Sequence, residues 1–125
     1  MSTDLSNFKK LYFETAHVYV LSMQKALENA APNSEPHVFE NLHLYAHSLK
    51  SQSAVMQYTQ IAELSGYLEQ IFNKLIIHTE GYSLELSGVI KASVTSLKNA
   101  LTNLEKDQET EASLSDRIND LRKFI

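Results

Sequence analysis

The chain has 125 residues, with 15 acidic and 11 basic side chains and a formal net charge of −4. It contains no cysteine, which excludes disulfides, zinc–thiolate centres and thiol catalysis. Its charges form no long block of one sign, which disfavours nucleic acid or an anionic membrane as the main partner. No apolar run has the length of a membrane span, and the N-terminal residues lack the apolar core of a secretory signal. We therefore expect a cytoplasmic protein.

The composition favours helix, because only three glycines and two prolines interrupt the chain. A first helical run is predicted over roughly residues 5–30, capped by Thr3 or Asp4 and stopped by Pro32. Side chains at spacings of three and four residues predict its buried stripe: Phe8, Tyr12, Thr15, Tyr19, Met23, Ala26 and Ala30.

Two further helical runs follow. The second is predicted to be capped by Ser34, with Pro36 in its first turn. Its buried stripe is Phe39, Leu42, Ala46, Leu49, Ser53 and Met56. The third run is predicted to begin at a Thr59 cap and to end at Gly81. Its stripe is Ile61, Leu64, Leu68, Ile71 and Leu75.

The fourth run is predicted to be capped by Ser83, and a polar segment separates it from a short last run capped by Ser113. The apolar stripes of these two runs are Leu86, Ile90, Val94, Leu97, Leu101 and Leu104, then Leu114, Ile118, Leu121 and Ile125. No alternating run suggests a strand. The sequence predicts an all-α single domain of residues 1–125. It comprises an antiparallel four-helix bundle over about residues 5–106 and a short fifth C-terminal helix over about residues 113–125, either docked or frayed.

The second helical run carries an unusual polar stripe. His43, His47, Lys50, Ser51 and Ala54 recur at spacings of three and four, rotated away from the apolar stripe. His47 should therefore point outward, with Lys50 one turn away and only small side chains beside it. A neutral imidazole is a nitrogen nucleophile near neutral pH, and a lysine attracts phosphoryl oxygens. This spacing permits a phosphoryl acceptor, although a lone exposed histidine is more often solvated surface.

Residues 46–70, AHSLKSQSAVMQYTQIAELSGYLEQ, resemble the phosphoacceptor region of histidine phosphotransfer (HPt) domains. They are similar in particular to the N-terminal phosphotransfer domain of CheA-type chemotaxis kinases. Members of this family carry His-x-x-Lys on the second helix, then small residues, then a third helix with spaced leucines and a glutamate. The matching residues here are His47, Leu49, Lys50, Ser53, Ala54, Ile61, Leu64 and Glu69.

The resemblance implies a role for each matching polar residue. His47 would be phosphorylated, Lys50 would steer the phosphoryl group, and Glu69 would orient the imidazole by accepting its Nδ1 proton. Ser51, Ala54 and His43 would lie near the site. The chain would be a monomer that exchanges phosphoryl groups with a histidine kinase catalytic domain, a response-regulator receiver, or both. The chain has no glycine-rich nucleotide motif. It would therefore be a phosphorylated intermediate rather than a turnover enzyme, and the sequence leaves open whether it should be called an enzyme. It would bind no cofactor itself, and the Mg²⁺ for transfer would sit on the receiver.

Three departures from the family pattern leave alternatives open. The family glycine after the lysine is Ser51 here, a second common glycine is Gln57, and Gly66 stands where chemotaxis members often have histidine. One alternative is therefore a degenerate module that binds a receiver or regulator without phosphotransfer. Another is a structural helical domain in which His47 is incidental. A metal site built on His43 and His47 lacks enough ligands and is disfavoured.

Overall fold

The computed structural model describes residues 2–106 and 113–125, with side chains from residue 6 onward in the first helix. These ranges contain five α-helices, one 3₁₀ turn and no strand, which confirms the predicted all-α bundle. The elements are α1 (Ser2–Glu28), α2 (Pro36–Val55), α3 (Thr59–Ile77), the 3₁₀ turn (Thr79–Gly81), α4 (Leu84–Glu105) and α5 (Ser115–Arg122). None of the helices in these ranges combines the length and the apolar character needed to cross a membrane.

The core lies between the four long helices. The stripes predicted for the second, third and fourth runs are buried, apart from half-buried Met56 at the end of the α2 stripe. Phe39 and Phe72 are among the largest fully buried side chains. Burial of one such side chain contributes about 1.5–3 kcal/mol, so these stripes account for much of the driving force for assembly.

The stripe predicted for α1 is partly wrong. Phe8 is exposed, and Thr15, Tyr19, Ala26 and Ala30 are only half-buried. The core face of α1 is instead Tyr12, Phe13, Ala16, Val20, Met23 and Leu27. Apolar side chains occupy more than one face of this helix, so spacing alone does not identify the buried face.

Several predicted helix ends are also wrong. Thr3 and Asp4 lie inside α1, because the helix already includes Ser2. The Ser34 hydroxyl accepts a hydrogen bond from the Ala31 N–H at 2.8 Å, and Glu35 takes the N-cap position of α2. Pro36 is the first residue of α2, as predicted.

For α3 and α4, one predicted helix end is confirmed and two are wrong. Thr59 is the first residue of α3 rather than its cap, and α3 ends at Ile77, before the 3₁₀ turn that contains Gly81. Ser83 caps α4 as predicted, and its hydroxyl accepts from the Leu86 N–H at 3.1 Å.

The short helix α5 is docked on the bundle rather than frayed. Leu114, Ile118 and Leu121 are buried, whereas Ile125 is exposed. Leu114, not Ser113, is the N-cap residue, and its N–H donates to the Gln60 side chain at 2.6 Å. This contact from α3 fixes the start of α5, which local sequence rules cannot anticipate.

A tight turn joins α2 to α3 and sets the position of the site. The Gln57 N–H donates to the Ala54 carbonyl at 3.0 Å, and the Tyr58 N–H donates to the Ser53 carbonyl at 2.9 Å. This pair of bonds is a Schellman motif, and Gln57 adopts the left-handed conformation that the motif requires, with φ 64°. The motif reverses the chain and lays α3 against α2.

Candidate functional site

His47 projects from the exposed face of α2, because Ala46 and Leu49 on either side of it face the core. Its side chain is 53% exposed, and Ser51 and Ala54, the small residues one and two turns further on, are exposed as well. This arrangement confirms the outward orientation predicted from the helical spacing.

Glu69 lies opposite His47 on α3 and connects the two helices. Its Oε2 atom is 2.5 Å from His47 Nδ1, and its Oε1 atom accepts a hydrogen bond from Lys50 Nζ at 3.0 Å. Only 14% of the Glu69 side chain is exposed, whereas about half of the His47 and Lys50 side chains is. The structure thus brings together the three residues that the resemblance implied. Glu63, the other carboxylate of α3, faces away and lies 3.5 Å from Arg122.

Glu69 is held in its ionised form. Its partial burial by itself raises the pKa, but the hydrogen bonds from Lys50 and His47 and their charges outweigh this, so the net pKa is lowered. An ionised carboxylate only accepts hydrogen bonds, so the proton in the short contact belongs to His47 Nδ1. In a neutral imidazole Nε2 then carries the lone pair, and the structure shows no hydrogen bond between Nε2 and a described residue. The contact with Glu69 therefore orients the ring of a half-exposed histidine.

His43 also faces this carboxylate, from one turn earlier on α2. Its ring is stacked nearly parallel to the His47 ring, at an angle of 9° and with 6.3 Å between the ring centroids. Its Nε2 atom is 3.7 Å from Glu69 Oε2. No group of three or more histidines, aspartates or glutamates suited to a metal ion occurs in the two described ranges.

Gly66 lies against Lys50 at the site. A Cβ atom at this position would lie 3.4 Å from Lys50 Cδ and 3.9 Å from Lys50 Cε, which is ordinary van der Waals contact. The Lys50 side chain therefore passes beside Gly66 where it reaches Glu69. From the sequence, Gly66 was only a departure from the family pattern; a glycine inside a helix, three residues before the glutamate on the same face, was the signal for this contact.

An open apolar groove lies beside the site, between α1 and α2. Its volume is about 600 Å³, and Ser51 contributes to its wall one turn from His47. The full lining is Phe8, Leu11, Tyr12, Thr15, Ser51, Gln52, Val55 and Met56. The groove was not predicted from the sequence, because the helical spacing of α1 predicted that Phe8 is buried in the core.

Comparison with known proteins agrees with this arrangement. A family model described as the Hpt domain matches residues 7–121, which include nearly all of the bundle and most of α5. No curated protein matches the chain closely enough to count as a relative. The match extends over far more than half of the sequence. The chain therefore belongs to the Hpt domain family, whose members carry out histidine phosphotransfer in phosphorelay signalling and interact with kinases and response regulators.

Proposed function

We propose that this protein accepts a phosphoryl group on His47 Nε2 and passes it to an aspartate of a response-regulator receiver. The observation that carries this proposal is the contact between His47 Nδ1 and Glu69 on an otherwise exposed imidazole. That contact leaves Nε2 as the nucleophile and directs it outward.

In the accepting step, the Nε2 lone pair attacks phosphorus and a P–O bond of the donor breaks. The donor is either ATP bound by a kinase or an aspartyl phosphate of a receiver. The positive charge that develops on the imidazole is stabilised by Glu69 through the Nδ1 proton. In the delivering step, a receiver aspartate attacks phosphorus, the P–N bond breaks and the electron pair returns to Nε2. The Mg²⁺ that assists this step belongs to the receiver.

Lys50 is proposed to steer the phosphoryl group. Its ammonium group lies at the site through the hydrogen bond to Glu69 Oε1, and about half of its side chain is exposed. A lysine in this position attracts the negative oxygens of the incoming group while it remains bound to Glu69.

The groove between α1 and α2 is proposed as the docking surface for the receiver. Ser51 lies in the groove wall one turn from His47, so a domain that brings its aspartate to His47 also covers the groove. Phe8, Leu11 and Val55 expose 60% or more of their surface there and provide the apolar contact. Such an interface fits a weak, transient encounter between a monomeric HPt protein and its partner.

The carboxylate and lysine around His47 also support the finer proposal that the chain is similar to the phosphotransfer domains of chemotaxis kinases. Because the phosphoryl group originates from ATP, we place this relay in the cytoplasm. The rival is a module that binds a receiver without transfer. It is favoured by one observation, namely that the Ser51 side chain occupies the groove wall where the family has glycine.

Labelling separates the two functions. The protein is incubated with phosphoramidate, and in parallel with a kinase, labelled ATP and a receiver. We expect acid-labile, base-stable label on the wild type and on His37→Gln, a matched control on the same helix, and none on His47→Gln. Label that survives His47→Gln contradicts the assignment of His47. Receiver binding without label from any donor supports the binding module instead.

A further inference from the structure

The polar side chains that line the groove between α1 and α2 are mostly engaged within the bundle. Tyr12 and Thr15 belong to the lining from α1. The Tyr12 hydroxyl forms a hydrogen bond with the Ser53 hydroxyl at 2.7 Å, and the Thr15 hydroxyl donates to the Leu11 carbonyl at 2.7 Å. Both side chains are also at least half-buried, so they offer little to a partner beyond their apolar atoms.

Ser51 differs from its polar neighbours in the groove wall. Gln52, beside it on α2, is half-buried, and its amide nitrogen donates to the Tyr19 hydroxyl at 3.3 Å. A hydroxyl inside a helix often donates to the carbonyl four residues earlier, as Thr95 does on α4 at 3.0 Å. Ser51 is exposed, and the structure shows no hydrogen bond between its hydroxyl and any described residue. The groove therefore presents one exposed hydroxyl that is available to a partner.

A docked receiver covers this hydroxyl. Ser51 lies one turn after His47 on the same face of α2, and side chains at this spacing have Cβ atoms about 5–6 Å apart. A receiver that brings its aspartate to His47 therefore also displaces the water around Ser51. The apolar lining gains from such contact, but a hydroxyl covered by apolar atoms loses its hydrogen bonds and opposes binding. Binding is favoured when the receiver places a hydrogen-bonding group against Ser51.

We propose that Ser51 is a specificity-determining residue: it selects receivers that place a hydrogen-bonding group against its hydroxyl and disfavours receivers that place an apolar side chain there. This inference rests on the proposed function, because it concerns which receiver takes the phosphoryl group from His47. A site that hydrogen-bonds its partner rejects a partner that lacks the matching group, because a covered polar group is then left unpaired. Loss of one hydrogen bond between neutral groups weakens binding about threefold to tenfold.

The test compares two variants of the same shape. Ser51→Thr keeps the hydroxyl, whereas Ser51→Val replaces it with a methyl group, and both side chains are β-branched. Each protein is phosphorylated with phosphoramidate, and transfer is followed against the concentration of the receiver, from a panel of receiver domains, to which the wild type transfers fastest. We expect the half-saturating receiver concentration to be about threefold to tenfold higher for Ser51→Val than for Ser51→Thr, with the same maximal rate. Acceptance from phosphoramidate, which needs no docking surface, should be equal, and Thr95→Val, the same loss of a hydroxyl on α4, should match the wild type.

Equal half-saturating concentrations for Ser51→Thr and Ser51→Val overturn the proposal. If both β-branched variants block docking, Ser51→Ala decides: binding weaker than that of the wild type by the same factor supports the proposal. Equal or tighter binding by Ser51→Ala overturns it, because the hydroxyl then contributes nothing or obstructs the receiver. A wild type that accepts no phosphoryl group contradicts the proposed function. Calorimetric titration of the unphosphorylated proteins with the panel still measures the contribution of the hydroxyl, and a wild type that binds no receiver of the panel overturns the role of Ser51 as well.

Discussion

Glu69 holds the site together, because its carboxylate contacts two side chains of α2, His47 and Lys50. One oxygen accepts from Lys50 and the other contacts His47, with His43 beyond hydrogen-bond range. The carboxylate fixes which nitrogen of His47 is free and where the Lys50 ammonium group lies. The departures from the family pattern lie at different distances from this site: a Cβ at position 66 would contact Lys50, whereas Gln57 lies in the turn after α2.

Replacement of Glu69 tests this dependence. Glu69→Gln should slow acceptance from phosphoramidate by about tenfold, because a hydrogen bond to a charged group contributes about 1.5–3 kcal/mol and this one is partly exposed. The rate is measured by mass spectrometry at neutral pH. Glu63→Gln, the same substitution on the outer face of α3, is the matched control and should leave the rate unchanged. Equal rates for Glu69→Gln and the wild type would contradict the orienting role.

The lowered pKa of Glu69 also predicts how stability depends on pH. A carboxyl group whose pKa is lower in the folded state than in the unfolded state stabilises the folded state at pH values above the unfolded-state pKa. This stabilisation is lost as the pH falls through the folded-state pKa. Urea unfolding should therefore show the wild type more stable than Glu69→Gln at pH 7, by less than about 1 kcal/mol, with the difference shrinking below about pH 4. If the stability difference between the wild type and Glu69→Gln grew as the pH fell, the pKa of Glu69 would be raised by folding rather than lowered.

Gly66→Ala should stabilise the protein without loss of function. An alanine in a helix is more favourable than a glycine by about 1 kcal/mol, so the free energy of unfolding, measured by urea denaturation, should rise. The new Cβ would lie 3.4 Å from Lys50 Cδ, an ordinary van der Waals contact, so the rate of acceptance from phosphoramidate should not change. Gly88→Ala on α4 meets no atom within 4 Å and is the matched control, with the same stability gain and an unchanged rate. Slower acceptance in Gly66→Ala than in Gly88→Ala would show that a side chain at position 66 displaces Lys50.

At the scale of the helices, interior spacing proved more reliable than the ends. The predicted stripes of α2, α3 and α4 are buried, apart from half-buried Met56 at the end of the α2 stripe. Ser34 fails as a cap because a serine has more than one way to use its hydroxyl: it closes the preceding turn instead of capping α2. Thr3 and Asp4 fail because α1 extends beyond them to Ser2. The chain reversal after α2 shows why the family has glycine where this chain has Gln57, since that residue adopts φ 64°.

Gln57→Gly should therefore stabilise the protein. The left-handed conformation costs a residue with a Cβ about 1–2 kcal/mol, and glycine's greater freedom in the unfolded chain cancels about half of the gain. We expect a net increase in the free energy of unfolding of about 0.5–1 kcal/mol, measured by urea denaturation. Gln57→Ala retains a Cβ and should show no such gain. A loss of stability in Gln57→Gly would mean that the turn is not strained by the glutamine.

At the scale of the whole molecule, the bundle places the acceptor nitrogen and an apolar groove on one side. The groove exists because α1 carries apolar residues, Phe8 and Leu11 among them, that the core does not use. On the other side, α5 covers α3 and α4 through Ile118 and Leu121. In the described residues, the apolar groove and His47 therefore lie next to each other on the same side of the bundle.

Phe8→Ala and Leu11→Ala should test this surface without unfolding the protein, because both side chains are more than half exposed. Transfer to a receiver should slow by about tenfold, while acceptance from phosphoramidate should not change. Leu84→Ala, an exposed leucine at the start of α4, is the matched control and should affect neither rate. Unchanged receiver transfer in both groove variants would place the docking surface elsewhere.

The sequence by itself determined the helices, the buried faces of three of them, and the outward stripe that holds His47 and Lys50. These features follow from spacing along one helix, which the chain carries locally. The family resemblance identified Glu69 as a site residue. Only the tertiary structure decided that the Glu69 carboxylate lies beside His47, Lys50 and His43. It also decided which face of α1 is buried and that Gly66 lies beside the Lys50 side chain. Those outcomes depend on how one helix is rotated and placed against another, and that is set by packing of the whole core rather than by any segment alone.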